Sequence, residues 1–434
     1  MTHQTVIKNR QKLMAPMYGM FQTYQKPFVA SRGSMQYMYD QDGVEHLDLL
    51  ANNLSISVGH CHPRVVKRVQ EQAATLSHCS SMYYSEPASE LTEKFLKTFP
   101  KRSDGEEWKV QYLVSGGEAV EMAIQLARVT RDTPDLLSLQ NSYHGSLGTA
   151  MGACGIHHCK HALPETSFIH HLPAPICDKA DEASIDKLVE DARRTIESST
   201  SNKVAGFIFE AVQGYGGIHL LPPSYLQKMS AVVKEAGGVI IADEIQSGLG
   251  RMGSHFWSYE MSGIEPDIVC VAKGLSNGFP LSAVVAKESL FDEYMARNKF
   301  VFFTYGANPM GCVAASETLS IIEEDSIQAH ANSLGKHLGT KLNWLTERFP
   351  SLCLAVRGKG LMWGIELDEA LAASIYETMK DRKILVGLGG QKKNVLRVMP
   401  PMALQVADVD HFVEVLDEVM VEFQQKQKVE RLVV

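Results

Sequence analysis

The sequence predicts an α/β protein: a large domain with a mostly parallel, mixed sheet flanked by helices, plus a smaller α+β domain from both chain ends. Three observations carry this. From Pro134 to about Ala286, short apolar runs alternate with amphipathic segments, the pattern of a sheet covered by helices on both faces. The runs VIIA (239–242) and IVCVA (268–272) are apolar throughout, as strands buried on both faces are. Both are followed at once by a charge, Asp243 and Lys273, at the strand ends where open α/β sheets bind ligands.

Residues 1–23 read as a mildly amphipathic helix with Leu13, Met14, Met17 and Met20 on one side. GSMQYMYDQDGVEHLDLL (33–50) reads as a hairpin turning at Asp42-Gly43. After the polar block GHCHP a helix opens at Pro63. SEPASELTEKFLKTF (85–99) is helical, with Leu91, Phe95 and Leu96 at the right spacing. VQYLVSGGEAVEMAIQLARVT (110–130) is strand, glycine turn, then helix. LLSL, SFIHHL, GFIFEAV, GVIIADE, DIVCVA and LSAVVA supply the strands of the alternating region, with helices 183–199 and 222–236 between some of them. Met310 to Phe349 is a long, broken helical stretch. AVRGKGLMWGIEL, KILVGLGG, VLRVMPPM and a final helix from about 407 make the shorter α+β unit. The expected divisions are 1–62 (N-terminal part of the small domain), 63–310 (large domain) and 311–434 (C-terminal small domain).

The 434 residues are 45% hydrophobic and 21% charged, an ordinary globular balance. A formal charge of −8 gives no electrostatic reason to expect a nucleic-acid partner. No apolar run reaches the ~18 residues that span a bilayer, so no membrane segment is expected. The eight cysteines lack paired spacing, and several lie in apolar runs, which suits buried reduced thiols. The first 39 residues carry Lys8, Arg10, Lys12, Lys26 and Arg32 and no acid, the composition of an organelle presequence. The segment is nevertheless aromatic-rich and folded in character by Tyr24, so the expected location is cytoplasmic, with mitochondrial second.

SGGEAVEMA (115–123) follows a strand and opens a helix. Its first amides and two glycines could cradle a phosphate, or form a plain strand-to-helix turn. Asp243 alone could cap a helix, and Lys273 alone could be a surfacing strand end. Together they suit carbonyl chemistry. A lysine captures carbonyls once burial lowers its pKa below the usual ~10.4. A buried aspartate facing a pyridine nitrogen keeps that ring electron-poor. GIHHCKHALP (155–164) groups His157, His158, Cys159 and His161 too tightly to wrap one tetrahedral ion, so it reads as a polar loop and no metal is expected. His60 and His62 of GHCHP read as turn-and-cap residues.

IIADEIQSGLGRMGSHFW followed by PDIVCVAKGLSNGFPLSAV resembles the signature of the class III aminotransferases, within the fold-type-I pyridoxal-phosphate enzymes. SGGEAVEMAIQLAR, SYHG, FIFEAVQG, TYGANPMGCVAA and VRGKGLMWGIEL occur in that family's order, and the likeness spans roughly residues 24–425. The resemblance implies pyridoxal 5'-phosphate as cofactor and 63–310 as the domain that binds it. Lys273 would be the Schiff-base lysine and proton shuttle, Asp243 would hold the pyridine nitrogen, and Gln246 would contact the ring's phenolic oxygen. Gly116 and Gly117 would offer amides to the phosphate, Tyr143 would stack on the ring, and His144 would lie beside it. Thr304 would reach the phosphate of the neighbouring subunit, which implies a homodimer with shared active sites, alone or within a tetramer. Glu210 would lie near the ring as a catalytic acid and, as in some relatives, pair with the substrate arginine. Arg397 would hold the substrate's α-carboxylate, with Asn53 and Tyr84 as further substrate-binding candidates.

Gly117 stands where the family usually has a serine, and Ala211 where proline is common. Asn52 and Asn53 replace glycine and an apolar residue, which suggests a more polar pocket. QKPFVASRGSMQYMYDQDG and SVGHCHPRVV look most like the alanine–glyoxylate (type 2) subgroup. The implied reaction moves an amino group from alanine or a related amine to glyoxylate or pyruvate, ping-pong through pyridoxamine phosphate. The alternatives are a phospho-lyase acting on a phosphorylated amino alcohol and, remotely, a non-catalytic scaffold that binds the cofactor.

Overall fold

The computed structural model describes residues 1–20, 24–160, 168–175, 180–298 and 300–433. Seven strands form its main sheet, in the spatial order Trp108–Leu113, Ser282–Lys287, Ile268–Val271, Val239–Asp243, Gly206–Phe209, Leu136–Leu139, Ile169–Leu172. All run parallel except Ser282–Lys287, which is antiparallel to both neighbours. The reason is the short connection 272–281, which cannot hold the dozen or more residues a parallel crossover needs. That same connection carries Lys273 at its second position.

The apolar runs are strands because both of their faces are covered. Val239 and Ile241 pack in one core with Ala119 and Leu126 of the helix Gly116–Arg131. Ile240 and Ala242 point the other way, into a core with Phe207 and Trp257. The helix Gly116–Arg131 starts where its sequence dictates. Ser115 accepts from the Glu118 amide, and the Glu118 side chain accepts from the Ser115 amide, a capping box.

Besides a two-stranded ribbon of Val212–Gln213 with His219–Leu220, two four-stranded sheets accompany the main one. One joins Ala30–Ser34, Tyr37–Asp40 and Glu45–Asp48 to Ile384–Leu385, so it draws on both chain ends. The other is Cys353–Lys359, Met362–Leu367, Val395–Val398 and Gly387–Gly389. The expected hairpin turns at Asp42-Gly43, with Gly43 at φ 79°, and a further hairpin precedes it at Met35.

The 1–23 helix is not continuous: it divides into His3–Leu13 and Met17–Met20, because Pro16 between them has no amide to donate. Leu13, Met14 and Met17 are exposed and do not pack as the expected apolar side. The helix Ala372–Asp381 escaped the sequence reading altogether. The stretch from Met310 breaks as expected, between helices Pro309–Glu324 and Ile327–Arg348, with Ser326 in a left-handed conformation. Cys154, Cys270, Cys312 and Cys353 are buried free thiols, while Cys61 is exposed and Cys177 lies outside the described residues.

One short segment ties these units together. Asp48, 1% exposed, accepts from the amides of Leu50 (2.8 Å) and Ala51 (2.9 Å) with one oxygen and meets His60 Nε2 at 2.7 Å with the other. His60 is therefore a buried structural partner rather than a cap, and His62 makes no side-chain cap bond. Ala51, Asn52, Asn53 and Leu54 follow with φ of 53°, 47°, 60° and 70°, a complete left-handed turn. Asparagine is among the few non-glycine residues that tolerate this conformation, so backbone geometry accounts for the pair of asparagines. Leu49 accepts from Met399 N (2.7 Å), just beyond the Arg397 strand, and Ser57 Oγ donates to Gly274 O (2.6 Å), just beyond Lys273. Replacing Asp48 by Ala strands three partners, two of them buried. The expected loss is about 2–4 kcal/mol of unfolding free energy by denaturant titration, and a loss below about 0.5 kcal/mol would contradict the clamp.

Candidate active site

The carboxyl ends of five strands converge on one cavity of about 660 Å3. Ser115 to Gly117 come from the end of the first strand, Tyr143 and His144 from the loop after Leu136–Leu139, and Glu210 from the residue after Phe209. Asp243 is the last residue of its strand, and Lys273 follows Ile268–Val271. Parallel strands leave their ends on one edge, so residues more than a hundred positions apart meet there. Gln246 and Asn53 also line the cavity.

Lys273 has φ 41°, a strained conformation for a side-chain-bearing residue of the kind that concentrates at functional sites. Its turn is braced by the Ser57–Gly274 bond and by Asn277, whose side chain donates to Gly59 O (2.9 Å) and accepts from Val58 N (3.1 Å). Burial pushes the Lys273 amine down to about 8, with Asp243 and Glu210 opposing and Arg397 assisting. An amine so poised is free of its proton far more often at neutral pH than a surface lysine.

Asp243 is buried, and its Oδ2 lies 2.7 Å from His144 Nδ1 while Oδ1 accepts from Ile245 N (3.1 Å). The sequence placed His144 only beside the ring; its contact with Asp243, 99 positions away, leaves no local signal. Burial, with Asp243 adding, pushes Glu210 up to about 7. Its two oxygens accept from Tyr143 N (2.9 Å) and Gly214 N (3.1 Å), so it is not paired with Arg397. Tyr143 stands 5.5 Å from Tyr215, centroid to centroid, and its hydroxyl meets Ser146 Oγ at 2.8 Å. Gln246 Oε1 is buried with no partner, and a Cβ on Gly214 would stand 2.2 Å from it. Tyr215 and Gly214 were both missed, although QGYGG marks a tight, aromatic-bearing turn.

These features suit pyridoxal phosphate. There is a buried amine, a buried carboxylate for a pyridine nitrogen, an unpartnered amide oxygen on the cavity wall, and a helix N-terminus with a dipole that favours an anion. Gly116 is packed, since a Cβ there would meet Ile245 Cδ1 at 3.1 Å, whereas Gly117 faces open space.

Three sequence-predicted site residues stand apart, and the histidine-rich loop is separate from them. Tyr84 is fully exposed and lines a different cavity with Tyr83, Lys109 and Tyr112, because the 76–84 segment turns away from the strand ends; it does not join this subunit's site. Thr304 is exposed, outside the cavity that its neighbour Phe303 lines. Arg397 is buried in the Val395–Val398 strand, behind Asn53. His157 Nδ1 meets Gln391 Oε1 at 3.0 Å, while His161 lies outside the described residues.

The family profile described as "Aminotransferase class-III" matches residues 20–420. The chain belongs to the class III aminotransferases. Its cofactor is pyridoxal 5'-phosphate, and it is an enzyme of the transaminase type. It is 35% identical to "Alanine--glyoxylate aminotransferase 2 homolog 2, mitochondrial" of Arabidopsis thaliana, covering 95% of this chain and 86% of that one. It is 31% identical to "Ethanolamine-phosphate phospho-lyase homolog 1" of Caenorhabditis elegans, covering 91% and 88%. Among solved structures it is similar to a phospholyase from Arthrobacter in complex with phosphoethanolamine, with TM-score 0.87 and 27% identity over 96% of this chain and 99% of that one.

Two outcomes test the site. In the cofactor-free protein, competitive acylation of the lysines from about pH 6 to 11 should give Lys273 a midpoint near 8, well below the surface lysines; a midpoint near the ordinary ~10.4 would contradict its burial. Gly117→Ser should fold normally and lower the dissociation constant for pyridoxal phosphate by about three- to tenfold through one added donor. An unchanged or higher constant by equilibrium dialysis would contradict the reading of that turn as the phosphate cradle.

Proposed function

We propose that the enzyme moves an amino group from L-alanine or a related amine to glyoxylate or a similar keto acid. What supports the reading is the buried Lys273 amine flanked by Asp243 and Glu210, in a chain similar to alanine–glyoxylate aminotransferases. When bound, the cofactor supplies an electron-poor ring that stabilises negative charge at the carbon next to the substrate nitrogen. The chain's residues do the rest. Lys273 Nζ takes a proton from that carbon and returns one elsewhere, which its lowered pKa allows near neutral pH. Asp243, oriented by His144, would balance the positive charge of a pyridinium. Gln246 would offer its amide to the ring oxygen, Gly116 and Gly117 would offer amides to the phosphate, and Tyr143 would stack on the ring. Glu210 keeps its proton to unusually high pH and can hold one beside the reacting atoms. Arg397 holds the substrate's carboxylate by its planar fork.

Thr304 is exposed on the surface, as a residue serving a second copy's phosphate would be, and a homodimer with shared sites is part of this reading. Among the described residues no helix is long and apolar enough to cross a membrane. The cytoplasmic location expected from the sequence stands against an Arabidopsis relative named mitochondrial; imaging the tagged protein decides between the compartments.

A second reading has its own support: relatives of both sequence and structure are named phospho-lyases. Elimination from a phosphorylated amino alcohol needs no keto acid. Purified holoenzyme given alanine and glyoxylate should yield pyruvate and glycine in equal amounts, and should release no phosphate from phosphoethanolamine alone. Phosphate release without pyruvate formation would overturn the transaminase reading in favour of the lyase.

A further inference from the structure

Arg397 is 5% exposed, and its guanidinium lies over the Tyr215 ring, 5.0 Å from the centroid. On another side the Gly387–Gly389 strand presses against it: a Cβ on Gly389 would stand 2.9 Å from its Nε, and one on Gly387 would stand 3.3 Å away. Nε, held against those glycines, has no partner. Nη1 donates to Asn53 Oδ1 at 3.3 Å, the one side-chain acceptor recorded for this guanidinium among the described residues. Glu210, the acid expected to serve Arg397, is taken up by two backbone amides. Asn53 lines the cavity that holds Lys273, and Arg397 does not.

We propose that Asn53 is a gate on Arg397: its carboxamide oxygen occupies the guanidinium while the site holds no carboxylate, and a substrate carboxylate reaches Arg397 only by displacing it. This rests on the reading of Arg397 as the carboxylate's partner. The exchange runs in the right direction, because a carboxylate accepts from a guanidinium more strongly than a neutral amide does, and a 3.3 Å bond is a long one. The backbone does not open. The left-handed turn is held by Asp48 through the amides of Leu50 and Ala51, and on to His60, so the side chain alone swings. A substrate with no carboxylate leaves the gate shut and the buried guanidinium still partnered. The gate thus sorts substrates by whether they carry that anion.

Two variants push the gate in opposite directions. Asn53→Gly keeps the left-handed backbone and removes the acceptor. Asn53→Asp puts a permanent carboxylate in its place. Propionate, which has neither an amino nor a keto group and is not turned over, serves as probe in calorimetric titrations of cofactor-loaded wild type and both variants, with thermal unfolding as the check on folding. N53G should bind propionate about three- to tenfold more tightly than wild type, the worth of one neutral hydrogen bond no longer displaced. N53D should bind it at least about tenfold more weakly. Equal affinities in the three proteins, a weaker N53G, an N53D as tight as wild type, or no binding in any of them would each overturn the gate. Because propionate does not react, failure to convert alanine and glyoxylate would count against the proposed reaction and leave this result standing.

Discussion

The buried amine of Lys273 is the constraint on which the rest of the structure depends. Taking an ammonium out of water is costly, so an interior lysine loses its proton readily or finds an opposite charge. Here it does some of each: burial lowers its pKa to about 8, and Asp243 and Glu210 hold it from falling further. That balance requires a cavity edge where carboxylates and an amine approach one another without collapsing into permanent pairs. The carboxyl edge of a parallel sheet provides it. The one antiparallel strand is part of the same solution, since the short connection that reverses the chain also forces Lys273 into its left-handed turn.

A second constraint is mechanical. The lysine stands at the main sheet and the arginine in the C-terminal sheet, and residues 48–60 touch the surroundings of both. Asp48 is the hub: one oxygen fixes the start of the left-handed turn, the other meets His60, and the segment continues to Ser57 and Gly59, which brace the Lys273 turn. A carboxylate buried this deeply is stable because both of its oxygens are hydrogen-bonded, one to two amides and the other to His60. Chemistry and anion recognition are thereby held in register by a part of the chain that supplies no reactive group.

How much of this was legible in the sequence follows from whether a residue's role is local. Asp243 and Lys273 are legible as a pair, because two charges ending two fully apolar strands suit carbonyl chemistry where either one alone has a bland explanation. The Gly116 helix start was readable from its cap, and the mixed sheet from the runs and their spacing. His144 and Asp243 meet only through the sheet's topology, so neither residue's neighbours hint at the other. The Asn52-Asn53 pair reads as pocket polarity; Asn53 does line the cavity, and both residues also sit in a left-handed turn that the sequence does not signal. Tyr84 and Thr304 are exposed and stand outside the cavity, and nothing in their sequence neighbourhoods signals that placement. The helix Ala372–Asp381 went unread between two strand signals, and the 1–23 helix ran across Pro16 on an apolar side that the exposed Leu13 and Met17 do not support. Relatives named for two reaction types are similar to this chain, so the shared scaffold does not by itself single out the reaction.

The central claim, that Lys273 is the amine that bonds the cofactor, is tested most directly by reducing the purified holoenzyme with borohydride and mapping its peptides. The account predicts a pyridoxyl label on the peptide containing Lys273 and on no other lysine. A label on a different lysine, or none on a protein that retains its cofactor, would contradict it.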